Sequence, residues 1–150
     1  MNNSMLNHMK RPHLFGLLIV VFLCKPAAAE ENDFRCLKSV GPKNSARLQF
    51  TFRADKDDLG YVSYQRGTGR IQVNKINEKE LKRIPGGRPS EFETTWEEIT
   101  PDGSGGRYVM VSQGARLYNF RYIRKKDGKV LKFEEDLEAF TDKGCDWKSR

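Results

Sequence analysis

The sequence predicts a mainly β fold: a small antiparallel barrel or sandwich with one or two short helices, closed by one disulfide. Three observations carry that prediction. Apolar and polar residues alternate with period two along most of the chain, which is the pattern of half-buried strands. The alternating runs number seven or eight, are short, and are separated by glycine-rich turns, as in closed or stacked β architectures. Two cysteines, Cys36 and Cys145, stand near the two ends of the region that follows an export leader. A single small antiparallel sheet backed by a helix is the competing architecture.

The leader comes first. Lys10 and Arg11 precede an apolar run from Leu14 to Leu23, the breaker Lys25-Pro26 follows, and Ala27-Ala28-Ala29 stand just before Glu30. This order of charge, apolar core and A-x-A site reads as a secretory signal peptide over 1–29, cleaved after Ala29, with one exported domain over 30–150. The apolar run is far shorter than the roughly 20 residues a transmembrane helix needs, so no transmembrane segment is expected after cleavage. Cys24 follows Phe22-Leu23, a context poorly suited to lipoprotein processing. The bacterial style of the cleavage site points to the periplasm or the medium.

Removal of the leader takes both histidines, His8 and His13, and the odd cysteine, Cys24. Of the 27 basic residues, Lys10, Arg11 and Lys25 leave with it, so 24 face 20 acidic ones and the net charge falls from +7 to +4. In an oxidising compartment the remaining cysteines are expected to pair. Closing a loop of about 100 residues is worth roughly 4–5 kcal/mol in the chain-entropy treatment.

The elements then follow in order. Phe34 to Val40 reads as a strand containing Cys36, and Arg47 to Arg53 (R-L-Q-F-T-F-R) as one that turns Leu48, Phe50 and Phe52 to a single face. Tyr61 to Tyr64 and Arg70 to Ile76 form a pair around Gly67-Thr68-Gly69. Asn77 to Arg83 (N-E-K-E-L-K-R) begins with an N-cap residue and continues in helix formers, so one or two helical turns are expected there. Pro85 to Pro89 stops regular structure. Phe92, Thr94 and Trp96 alternate against Glu91, Glu93 and Glu97. Strands over Tyr108 to Ser112, Ala115 to Lys125 and Lys129 to Glu134 follow, the last two joined by Asp127-Gly128. Phe133, Leu137 and Phe140 are spaced for a short amphipathic helix over Phe133 to Thr141. Thr100 to Gly106 (T-P-D-G-S-G-G) is the most flexible-looking interior loop.

The residue inventory excludes much chemistry. Without histidine, the exported domain has no Ser-His-Asp or Cys-His catalyst, and two distant cysteines make no four-sulfur zinc site. Asp55, Asp57 and Asp58 lack calcium-loop spacing, with Arg66 where its glutamate belongs, and read as a solvated turn. No metal and no cofactor are expected. Glu97-Glu98 and Glu134-Glu135-Asp136 are paired carboxylates by type, and they carry the minor alternative of a carboxylate-dependent glycan-acting enzyme. The basic run Arg121 to Lys132 (R-Y-I-R-K-K-D-G-K-V-L-K) offers Arg124, Lys125, Lys126 and Lys129 as candidate anion-binding residues. Export makes glycans or lipid head groups more accessible targets than nucleic acid, which is not expected as a partner.

Ser104-Gly105-Gly106-Arg107-Tyr108 gives S-G-x-x-Y, and Tyr108 to Gly114 reads Y-V-M-V-S-Q-G. These eleven residues resemble the periplasmic and membrane-bound inhibitors of c-type lysozyme. The resemblance implies a small exported β-barrel with a cysteine near each end, whose S-G-x-x-Y loop and later K-G segment enter the lysozyme cleft. By position Ser104, Gly105 and Tyr108 match the first motif, and Gln113 and Gly114 the second, with Gln113 where the family favours lysine. The expected function is that of an exported, non-enzymatic binding protein for a protein or cell-envelope ligand, with lysozyme inhibition as the alternative.

Overall fold

The computed structural model describes residues 33–41 and 46–147, and the leader lies outside them. Eight antiparallel strands, each hydrogen-bonded to the next in sequence, close into a barrel. They are β1 (Phe34–Ser39), β2 (Arg47–Arg53), β3 (Lys56–Tyr64), β4 (Arg70–Lys82), β5 (Glu91–Glu98), β6 (Arg107–Gln113), β7 (Arg116–Ile123) and β8 (Val130–Glu135). Closure comes from β1 against β8, with Leu37 opposite Glu135 and Ser39 opposite Phe133. A single 3-10 turn, Leu137–Ala139, precedes a two-residue ribbon, β9 (Phe140–Thr141) with β10 (Gly144–Cys145).

The period-two pattern explains the closure. In β2 the inward residues Leu48 and Phe50 are fully buried, and Val62, Val73, Thr94, Trp96, Tyr108, Met110, Phe120 and Phe133 fill the interior from the other strands. Aromatic rings meet edge to face in the centre: Phe50 lies 5.4 Å from Trp96, 5.9 Å from Tyr108 and 5.8 Å from Phe120. The interior is thus packed with side chains rather than hollow. Cys36 and Cys145 form the disulfide, 109 residues apart in sequence, and clasp the C-terminal ribbon onto β1.

Four sequence expectations need correction. The helix expected over Asn77 to Arg83 does not form. Instead β4 runs to Lys82, with Glu78 opposite Thr94 and Glu80 opposite Phe92 in β5. Strand pairing with β5 from Asn77 to Lys82, across a bulge at Leu81, outweighs the weak helix propensity of a seven-residue segment. The helix expected over Phe133 to Thr141 shrinks to one 3-10 turn, because Phe133 to Glu135 belong to β8 and pair with β7 and β1. Ala115 belongs to the turn before β7 and Arg124-Lys125 to the turn after it, so that strand is shorter than the alternation suggests. Asp57 and Asp58 lie in β3 rather than in a turn, although both are exposed.

The strands leave two ends. One is formed by the start of β1, the end of β2, the overhanging half of β4, and the β6–β7 turn. The other is formed by the β3–β4, β5–β6 and β7–β8 connections.

Candidate functional site

At this second end a polar network is built into the top of the apolar core. Strand alternation turns Tyr64 of β3, Glu98 of β5, Tyr108 of β6 and Tyr122 of β7 toward one another. The Tyr64 hydroxyl is 2.8 Å from that of Tyr108, and the Tyr108 hydroxyl donates to Glu98 Oε1 at 2.7 Å. Glu98 Oε2 accepts the Gly106 backbone N–H at 2.6 Å and the Tyr122 hydroxyl at 3.4 Å. Burial, with the Glu98 charge alongside, disfavours the phenolates. It raises Tyr64 to about 12, and it raises Tyr108, which is fully buried, and Tyr122 as well.

This network holds the β5–β6 loop. Glu98 N–H donates to Gly106 O at 3.0 Å, and the Thr100 side-chain oxygen accepts the Gly105 N–H at 3.1 Å. Gly103 N–H turns back to Thr100 O at 3.0 Å. The Asp102 carboxylate takes both the backbone N–H and the hydroxyl of Ser104, at 3.0 and 2.7 Å, which lowers its pKa. Lys125, from the β7–β8 hairpin, donates to Gly103 O at 2.8 Å and braces the loop from the side. The loop that looks most flexible in sequence is therefore tied at every turn, with Ser104 exposed at its tip.

The two glycines after Ser104 are demanded by close approach. A Cβ on Gly106 would stand 2.4–2.5 Å from the Tyr122 ring and hydroxyl, and one on Gly105 would stand 2.6 Å from Glu98 Cβ. Glycine lets the loop backbone lie directly on the two side chains that anchor it.

The structure divides the candidate binding residues. Ser104, Gly105 and Tyr108 lie together, with Ser104 exposed, while Tyr108 is buried and serves the network rather than the surface. Arg124, Lys125, Lys126 and Lys129 join them on the neighbouring hairpin, all exposed. There Arg124 pairs with Asp127 and holds that carboxyl down at about 2. Gln113 and Gly114 stand at the opposite end of β6. The Gln113 side chain donates to Pro89 O at 3.0 Å and accepts the Tyr118 hydroxyl at 2.7 Å. Gly114 turns the chain at φ 54°, where glycine is favoured. The two motifs therefore do not converge on one surface.

The paired carboxylates are also dispersed. Glu97 pairs with Arg107, Glu134 with Lys38, Glu135 with Arg35, and buried Asp136 with Arg47. Glu98 is the member with a role that sequence reading assigns to no residue: it anchors a loop. Its signal lies in the register, because Thr94, Trp96 and Glu98 fall on one face of β5. Among the described residues, no group of three His, Cys, Asp or Glu could hold a metal ion.

Among the described residues, the other end carries shallow cavities, two of them over the mouth of the barrel. One, of about 190 Å³, lies between Arg35, Phe52, Met110 and Leu117; the other, of about 300 Å³, lies between Phe52, Leu59, Lys75 and Trp96. Trp96 is buried there, and its indole N–H has no acceptor within reach. Compared with known proteins, the chain matches no family model, no curated protein and no solved structure.

Proposed function

We propose that the chain is an exported, non-enzymatic binding protein whose contact surface is the barrel end bearing the β5–β6 loop and the β7–β8 hairpin. One observation carries this reading. The Thr100 to Gly106 loop is fixed from beneath by Glu98 and from the side by Lys125, while its tip residue Ser104 is left exposed. A loop ordered before it meets its ligand loses little conformational freedom on binding, and this raises affinity without further contacts. The disulfide and the filled interior keep the platform beneath it rigid. The leader and the oxidised cysteine pair support export to the periplasm or the medium.

The test compares capture of envelope components by the oxidised domain with capture by a Ser104→Trp variant. A ligand retained by the first and lost by the second supports the proposal. Equal retention by both places contact elsewhere and overturns it.

Inhibition of c-type lysozyme is the second reading, favoured by the exposed serine of S-G-x-x-Y on a fixed loop. It has to work through Ser104 without help from Gln113-Gly114, which lie at the other end. Lysozyme turnover in the presence of the domain decides between the two readings. Slowing that Ser104→Trp abolishes supports inhibition, and unchanged turnover at micromolar domain removes it.

A further inference from the structure

The positive charge of the exported domain is concentrated at the same barrel end. Residues 65–70, 99–107 and 124–129 contain Arg66, Arg70, Arg107, Arg124, Lys125, Lys126 and Lys129 against Asp102 and Asp127. With Glu97, which pairs with Arg107, and Glu98, which anchors the loop, this end holds seven basic and four acidic residues, leaving 14 of each among the other described residues. This end carries net +3 and the other described residues net zero, and all seven cations are exposed. Apolar side chains stand among them. Val40, Ile99, Val130 and Leu131 are 59, 49, 49 and 38 % exposed at the rim of this end. Backbone hydrogen bonds place them at this rim: Val40 N–H donates to Lys132 O beside the start of β8, and Ile99 N–H donates to Gln72 O beside the start of β4.

Cations alone fit any polyanion. Cations interspersed with exposed aliphatic side chains at one end of a rigid body fit a surface that is anionic outside and apolar just beneath. We infer that this end of the barrel docks reversibly on the anionic lipid surface of a membrane, with the cations at the phosphate level and Ile99 and Val130 entering the interface. The inference rests on the proposed contact end and names its partner as a bilayer rather than a soluble macromolecule. Each cation near such a surface contributes to partitioning on the order of five-fold, and the contribution fades as salt shortens the screening length.

The experiment is co-sedimentation of the processed, oxidised protein with vesicles of phosphatidylcholine alone or with added phosphatidylglycerol. Dextran sulfate serves as a soluble polyanion in a parallel arm. The expected result is sedimentation only with the phosphatidylglycerol vesicles, reversed by salt. Lys126→Glu with Lys129→Glu changes charge by four units without touching the Lys125–Gly103 contact, and it should weaken partitioning by more than about a hundred-fold. Ile99→Ser keeps the charge and should weaken vesicle binding while leaving any dextran sulfate binding unchanged. Thermal unfolding of each variant verifies that it is folded; both sites are exposed.

Failure to bind phosphatidylglycerol vesicles overturns the inference, as does vesicle binding that survives Lys126→Glu with Lys129→Glu. Binding to dextran sulfate alone overturns it and assigns the surface to a soluble polyanion, and vesicle binding indifferent to Ile99→Ser overturns it by removing the apolar insertion. In each of these cases an envelope ligand lost with Ser104→Trp would still support the contact end itself, so the two proposals fail separately.

Discussion

Replacing Glu98 by alanine removes the anchor of the β5–β6 loop, and the cost can be worked from the geometry. Two short hydrogen bonds are lost, to Gly106 N–H at 2.6 Å and to the Tyr108 hydroxyl at 2.7 Å, together with a long one to Tyr122 at 3.4 Å. Hydrogen bonds to a charged group contribute about 1.5–3 kcal/mol each, and for a half-buried carboxylate the lower figure applies. The 3.4 Å contact adds little, so the total is about 3 kcal/mol. Tyr108 keeps Tyr64 as a partner, whereas the buried Gly106 N–H is left without one. For a domain of this size the unfolding entropy is roughly 0.24 kcal/mol per kelvin, so Tm should fall by about 12 °C. Glu98→Gln keeps the shape and one acceptor oxygen, and should cost about half as much. Circular dichroism melts give both numbers, and amide exchange at Gly105 and Gly106 should accelerate well before global unfolding. A loss under about 1 kcal/mol with unchanged exchange at those two amides would refute the idea that Glu98 holds the loop.

Three further outcomes follow from the same geometry. Gly106→Ala drives a methyl group into the Tyr122 ring, so it should cost about 1–3 kcal/mol and shift the Tyr122 resonances, whereas Gly103→Ala, with open space around its Cβ position, should leave Tyr122 unmoved. Above the ordinary phenol pKa of 10 the unfolded chain loses tyrosine protons that Tyr64 and Tyr108 retain in the fold, so stability should be full below pH 10 and decline from there through about 12. Melts across that range should show a shallower decline in Tyr64→Phe than in the wild type. Replacing both Cys36 and Cys145 by serine opens a loop whose ends are 109 residues apart, and by chain entropy it should cost about 4–5 kcal/mol, readable as a denaturant midpoint shift.

Much of the fold was legible in the sequence because barrel strands obey a rule that sequence displays directly. Leu48, Phe50 and Phe52 alternate, and so do Thr94 and Trp96, and each set faces inward. The cysteine pair was legible because Cys36 and Cys145 are the two cysteines beyond residue 29 and stand near the two ends of the barrel sequence. Asn77 to Arg83 was not, since its residues favour a helix in isolation and only the partner strand β5, separated from it by a proline-rich turn, decides otherwise. The candidate site was half legible. Ser104 and the basic hairpin were visible as motifs, but their proximity depends on β6 and β7 pairing side by side. Gln113-Gly114 sits only five residues beyond Tyr108, yet a strand of that length carries it across the barrel. The loop's rigidity was invisible because it depends on the Glu98 side chain folding beneath the loop and on Tyr122 and Lys125, which other strands and turns bring alongside.

The most direct test of the proposed contact surface is site-specific photocrosslinking in the cell that produces the protein. A photoreactive residue is placed at position 104 in one strain and at position 118, on the far part of the barrel, in another. Adducts with an envelope component from position 104 and none from 118 are the predicted result; adducts from 118 and none from 104 would contradict it.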